Sequence, residues 1–434
     1  HLYKGYLKCG MPEHVLSLHE RMKKNGSCRN WSGYHFVCII NACKMLKDLK
    51  KGIEIHSEVI RMGSFEENIF VCAALVDMYV KCGSLARAQE LFDRFSIRNV
   101  VLWTSLSSGY VECGKFEDAL KYLEEMKVEG ILPNVVTCIY RLKACGSLGD
   151  AHKIKQIHTE IEELGFLNID IVGNTLIDMY TKCERLEDAR KLFDMLYQRS
   201  VHVWTVMIFA YAQNGHGVEA LELFREMQSG GLKPDEITFA SALGACALLS
   251  DLKEGRLIHD SIRRLGFDSG NRAVGSALIN MYGKCGSLKD AQMVFDDMPK
   301  RDVMSWNALM AAYAQHGFAK EALNIFSKML AEGVKPNEIT FMSVLSACSG
   351  AGLVDEGVRH LFSMERDYGI VPSLEHINCV LDMLAKSGRL DEAENLIMNM
   401  VDEATIVTWT ILLNACKKQL DVERGKRVAN RMLE

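Results

Sequence analysis

Two short pairings in this chain have the residue types that chemistry needs. His56-Ser57-Glu58 and His158-Thr159-Glu160 set a histidine two places before a glutamate. That is half of the arrangement in which a zinc-bound histidine and a proton-moving glutamate deaminate a base. The other half requires a Cys-x-x-Cys pair to complete a tetrahedral zinc site, and none of the 15 cysteines has another at that spacing. The histidine also recurs at His56, His158, His259 and His360, in steps of 102, 101 and 101 residues. A position repeated in that way points to packing. Cys82, Cys183 and Cys285 each follow Met-Tyr-x-Lys and read as small buried hydrophobes. The sequence therefore predicts no catalytic residue, no metal ligand and no cofactor.

A second group is polar and uncharged. Trp103, Trp204 and Trp306, each predicted to pack in a core, are followed directly by Thr104, Thr205 and Asn307. About 30 residues further on stand Asn134, Asp235 and Asn337. Two readings of these pairs stand side by side. As capping residues, Asn and Asp suit the start of the next helix. As hydrogen-bonding pairs, they could read a ligand's edges. Capping explains less readily why a small polar residue, a poor helix former away from a cap, is kept inside a helix.

These residues belong to a repeat. Trp103, Trp204, Trp306 and Trp409 fall 101, 102 and 103 residues apart, and the Ala-Cys pairs ending at Cys43, Cys145, Cys246 and Cys348 keep nearly the same step. Within one period lie three blocks, 100–134, 135–169 and 170–200, of 35, 35 and 31 residues. Each reads as a helix, a glycine and a second helix. Phe116, Ala119, Leu120, Leu123 and Met126 form an apolar stripe at helical spacing. One hairpin cannot bury such a stripe, so neighbours must stack. Gly231-Leu232-Lys233-Pro234 and Gly333-Val334-Lys335-Pro336 end the longer blocks as C-cap and breaker. No apolar run approaches a membrane span, and the odd cysteine count in a long chain predicts a reducing compartment. The net charge of -5 argues against a grip made mainly on phosphates.

The blocks resemble pentatricopeptide repeats. Runs 201–235 and 303–337 carry the Tyr, Gly, Glu-Ala-Leu, Phe, Met and Gly-x-x-Pro landmarks of the standard form. The blocks between them are similar to the long and short variants that alternate with it in plant organellar proteins. On this resemblance the chain is a truncated repeat at 1–30, a short insertion from Asn30 to Gly33, then long, short and standard repeats in rotation at 33–68, 69–99, 100–134, 135–169, 170–200, 201–235, 236–271, 272–302, 303–337, 338–373 and 374–405. Residues 406–434 are similar to the start of the extension that follows the repeats in RNA-editing members.

The resemblance implies an all-α, right-handed superhelical solenoid that binds single-stranded RNA, one base per repeat. Base-reading pairs would be Thr104 with Asn134, Asn174 with Ser200, Thr205 with Asp235, Ser276 with Asp302, Asn307 with Asn337, and Asn378 with Thr405. The second residues Val101, Ile171, His202, Ala273 and Met304 would sandwich the bases, His202 departing from the aliphatic norm. Val37, Ile139, Ala240 and Met342, in fifth place of the long repeats, should discriminate little. The implied role is site recognition for C-to-U editing in a mitochondrion or chloroplast, with a partner protein supplying the deaminase. The chain opens inside a repeat, so a targeting segment would lie upstream. A tetratricopeptide-like protein scaffold is the rival, but it keeps a uniform 34-residue period. A third alternative, an RNA-processing enzyme, would need a catalytic domain outside this chain.

Overall fold

The computed structural model describes residues 2–25, 31–62, 68–95, 98–196, 198–267, 271–398 and 405–433. Asn30, where the insertion begins, lies outside them. Among the described residues there are 26 α-helices and no strand, and no helix is long and apolar enough to cross a membrane. The chain divides into two compact units, His1–Met207 and Ile208–Glu434, the division falling inside helix Val201–Gln213.

Each unit is a stack of helical hairpins. In the first, Gly33–Leu46, Ile69–Lys81, Val100–Glu112, Val135–Ser147 and Asp170–Lys182 pack one on the next. In the second, a row of the same kind runs through Glu236–Leu249, Arg272–Lys284, Val303–Gln315, Glu338–Ala351, Leu374–Ser387 and Ile406–Gln419. These first helices of the hairpins are buried on most sides, as Val71 through Val76 show. The second helices bury one stripe, for example Ala119, Leu123 and Met126, and leave their charged face to solvent.

Three recurring contacts explain which residues the repeat keeps. At the first, Phe92 meets Trp103, Phe193 meets Trp204 and Phe295 meets Trp306, each edge to face with centroids 4.7 Å apart. Arg98, Arg199 and Arg301 lie over the same phenylalanines at 4.6, 4.5 and 4.7 Å and donate Nε to the phenylalanine carbonyls. The tryptophans are therefore core, locked by a cation–π contact. At Trp409, where Ile397 replaces the phenylalanine, the indole is half-buried.

The second contact joins neighbouring hairpins. Nδ1 of His56, His158 and His259 pairs with the hydroxyls of Tyr79, Tyr180 and Tyr282 at 2.7, 2.9 and 2.8 Å. His360 stands three residues after Gly357, where His56 and His259 stand four after Gly52 and Gly255, so it lies one place earlier in its helix and meets the Phe326 ring at 5.6 Å instead. These histidines pack between repeats.

The third is a steric exchange. A Cβ added at Gly52, Gly255 or Gly357 would stand about 2.5 Å from Met78, Met281 or Met383, so these glycines make room for a methionine of the next hairpin. In the one repeat where buried Ile154 replaces that glycine, Met179 turns onto Gly146 of the first helix. The bulk gained on one helix is lost on its partner.

Turns between the paired helices use a left-handed residue, Gly83 at φ 76° and Gly286 at φ 77° among them. Block 170–200 departs from the expected helix, glycine and helix: Glu184 occupies the equivalent place at φ 56°, where a side chain costs about 1–2 kcal/mol. Gly286→Glu should therefore lower stability by about that amount, whereas Glu184→Gly should raise it, measured by urea unfolding of each variant. Burial holds the His158 imidazole below its ordinary value of 6.5. Its proton is taken up more readily by the unfolded chain, so stability is full above about pH 6.5 and falls as pH drops through the folded value. Burial depresses His19 and His360 in the same direction. His158→Gln should flatten, without abolishing, the loss of urea midpoint between about pH 7 and pH 5.

Candidate nucleic-acid interface

The residues singled out in the sequence sit at the N-terminal ends of the first helices, and the helix caps place them. Asn134, Asp235, Asp302 and Asn337 are all N-caps whose Oδ1 accepts a backbone N–H, from Thr137 at 2.9 Å, Thr238 at 2.8 Å, Ser305 at 3.0 Å and Thr340 at 3.0 Å. A helix leaves its first N–H groups without partners, and this bond satisfies one of them. It also orients the side chain. With Oδ1 committed, the second terminal atom is presented outward: an NH2 in Asn134 and Asn337, a carboxylate oxygen in Asp235 and Asp302. Among the described residues none of those outward atoms makes a hydrogen bond.

The fifth-place residues lie beneath the caps. Thr104, Thr205 and Asn307 are only 7%, 5% and 3% exposed, so they support the groove more than they line it. Thr104 and Thr205 donate their hydroxyls to the carbonyls of Val100 and Val201 at 2.6 and 2.9 Å, which leaves only acceptor capacity. Asn307 donates Nδ2 to Oδ1 of Asn337 at 3.0 Å, and Oδ1 of Asn307 accepts from the Thr340 hydroxyl at 2.7 Å. Thr104 reaches Asn134 through Thr137, whose hydroxyl is 3.1 Å from one and 2.9 Å from the other. This network gives the buried polar residue a structural task that the sequence did not reveal: it holds the cap.

The remaining pairs differ. Asn174 donates to Ser200 at 3.4 Å, and both are accessible. Ser276 and Asp302 border one groove without bonding directly. Thr405 caps its helix toward Thr408 and is exposed; Asn378 does not bond to it. Ser276 Oγ and Asn378 Oδ1 are buried atoms with no hydrogen-bond partner among the described residues, which is uncommon for a buried polar group. Thr205 and Asp235 belong to different units, each as described above.

The second-place residues Val101, Ile171, His202, Ala273 and Met304 are all exposed. So are Tyr34, Phe70, Val136, Ile237, Ile339 and Val407 at the same place in other blocks, which the sequence reading did not include. Their signal was available: each is an apolar side chain on the first turn, one residue inside the block. In the second unit Ala273, Met304 and Ile339 flank a groove of about 1010 Å³ whose walls include Ser276, Asp302 and Asn307. Aliphatic side chains thus alternate along this groove with hydrogen-bonding groups. Cys43, Cys145, Cys246 and Cys348 are fully buried, their thiols pushed up by burial to about 12, 11, 12 and 12.

Models of the PPR repeat family match residues 98–147, 199–247 and 301–350, and the PPR repeat model matches 4–27, 174–201, 276–303, 339–368, 376–403 and 407–434. The Pentatricopeptide repeat domain model matches 123–182. A chloroplastic pentatricopeptide repeat-containing protein of Arabidopsis thaliana is 37% identical over 99% of this chain and 53% of its own length. A mitochondrial one from the same plant is 36% identical over 96% of this chain and 75% of its own length. The chain thus spans about half to three quarters of these curated relatives. Among solved structures, the pentatricopeptide repeat protein PPR10 from maize superposes with a TM-score of 0.61 at 18% identity, over 97% of this chain and 71% of that one. PPR10 in complex with an 18-nt psaJ RNA element gives 0.69, also at 18% identity, over 98% and 66%. The shared fold is an all-α solenoid of stacked hairpins.

Because Asp302 is a cap as well as a groove residue, Asp302→Ala should cost about 0.5–2 kcal/mol of stability. Asp302→Asn, which keeps an Oδ1 for Ser305, should stay within about 0.5 kcal/mol. Denaturant unfolding of the two variants measures the difference.

Proposed function

This chain belongs to the pentatricopeptide repeat family, and from that premise we propose that it binds single-stranded RNA by sequence, one base per repeat. The observation that carries the reading is the groove in the second unit. There the second-place side chains of three successive blocks, Ala273, Met304 and Ile339, alternate with Ser276, Asp302 and Asn307. Flat bases stack between apolar side chains and present polar edges to hydrogen-bonding groups. The known binding partner of PPR10, an RNA element, supports the same reading.

The caps supply the chemistry of discrimination. The outward oxygen of Asp235 or Asp302 only accepts, so it suits the imino N–H of guanine or uracil. The outward NH2 of Asn134 or Asn337 donates, and suits the ring acceptor of adenine or cytosine. The fifth residue acts beneath, Thr or Ser leaving room for a purine and Asn favouring a pyrimidine. With the amino end of the protein toward the 5′ end of the RNA, blocks 100–134 to 374–405 read 5′-A-N-Y-G-N-G-Y-N-Y-3′. Asn174 with Ser200 and Asn378 with Thr405 contribute weak pyrimidine preferences.

The role we propose is site recognition for C-to-U editing in a mitochondrion or chloroplast. The order of long, short and standard blocks supports it, as do the organellar names of the relatives. In this scheme the chain is not itself the enzyme: a partner protein carries the deaminase and this chain sets the address.

Asp235→Asn tests the assignment. The amide keeps the cap to Thr238 but replaces an acceptor by a donor, so the preference at the fourth base of the core should move from G toward A, the other positions unchanged. A wrong base at one position typically costs 1–3 kcal/mol, about five- to a hundredfold in affinity. Selection of bound sequences from a random RNA pool reads both proteins at once. Retention of G by the variant, or recovery of no consensus by the parent chain, would overturn the reading.

A further inference from the structure

Block 236–271 is expected to add little to recognition, because Ala240 holds its fifth place and cannot hydrogen-bond. The surface there is nevertheless shaped. A cleft of about 380 Å³ opens between the end of helix Val201–Gln213 and helix Glu236–Leu249, lined by Phe209, Gln213, Ile237, Ala240, Gly244 and Leu248. Phe209 is 48% exposed on its wall and has no ring partner among the described residues. It is also out of pattern. Its ninth place in the block is Ser108 in 100–134 and Ala311 in 303–337. At Gly244, in ninth place of its own block, an added Cβ would meet nothing within 4 Å, so the space before the ring is open.

Continuity decides what fills it. The cleft shares Ile237 with the row of exposed second-place side chains, so an RNA strand following that row passes its mouth. A base has two apolar faces and one polar edge. Phe209, Ile237 and Leu248 match the faces. The exposed Gln213 amide offers a donor and an acceptor at the rim, and can pair with any base edge.

We propose that Phe209 is a stacking platform for the nucleobase at block 236–271, so that this block contributes affinity without selecting sequence; the proposal rests on the RNA-binding reading above. Aromatic stacking tolerates every base because each has a π face.

The test uses the whole chain and RNAs carrying the core 5′-A-N-Y-G-N-G-Y-N-Y-3′, with the fluorescent base 2-aminopurine at the fifth position. Binding by the parent chain should quench that fluorophore. Phe209→Ala should remove the quench and weaken binding about five- to a hundredfold, the range for one lost base–aromatic stack. The loss should be equal for all four natural bases at that position. Phe209→Trp should keep both quench and affinity, and a circular dichroism melt matching the parent's shows that the alanine variant is folded. If the parent binds but Phe209→Ala keeps the same affinity and quench, the cleft belongs to a protein partner and the proposal fails while the RNA-binding reading stands. If the parent binds none of these RNAs, both readings fall.

Discussion

The hydrogen bond from a helix's first free N–H groups to the side chain just before it is the constraint on which this protein's surface depends. Peptide geometry leaves those groups without partners, and Asn134, Asp235, Asp302 and Asn337 supply an oxygen to them. The consequence reaches beyond helix stability. A capping asparagine must spend its oxygen inward, so its NH2 faces out, whereas a capping aspartate has a second oxygen to present. The choice between the two residues therefore leaves the fold intact and changes only the character of the outward atom. In the proposed reading, folding and recognition draw on opposite ends of one side chain.

Stacking carries this arrangement along the chain. Each hairpin buries its apolar stripe only against neighbours, so the contacts between blocks are as specific as those within them. The Phe–Trp–Arg contact and the His–Tyr bond recur because each joins one hairpin to the next. The exchange at Ile154 and Gly146 shows the tolerance of such a stack. The added bulk of isoleucine is absorbed one helix away, where Met179 finds a glycine, since close-packed cores conserve total volume more strictly than position. Periodic packing also sets the spacing of the caps, and with it the spacing of any groups a ligand could meet.

The charge of the chain fits a surface that works through edges and faces. At a net -5 the chain has no strongly basic field to attract phosphates indiscriminately. Many of its cations are paired across hairpins, as Arg301 with Glu332 at 3.2 Å and Arg225 with Glu254 at 3.1 Å. The groove of the second unit offers instead aliphatic walls, amides and hydroxyls. In the proposed reading, selectivity in such a groove comes from matching donors to acceptors.

The sequence by itself determined the period, the hairpins and the places of the caps, because helical spacing, Gly-x-x-Pro endings and Asn or Asp before an apolar run are local properties of a chain. It also showed His56 and the tryptophans as packing residues, since a role repeated every hundred residues is seldom catalytic. It did not show that Val136, Ile237 and Ile339 belong to the same exposed row as Met304, because exposure depends on what a neighbouring hairpin leaves uncovered. Nor did it show that Asn307 lies buried under Asn337 and steers its amide. That contact joins residues 30 positions apart and exists only once two hairpins have stacked. The open ring of Phe209 was equally invisible, since in sequence it is one apolar residue among many on a buried helix. Local patterns fixed which elements form, and their stacking decided which side chains remain free to meet a ligand.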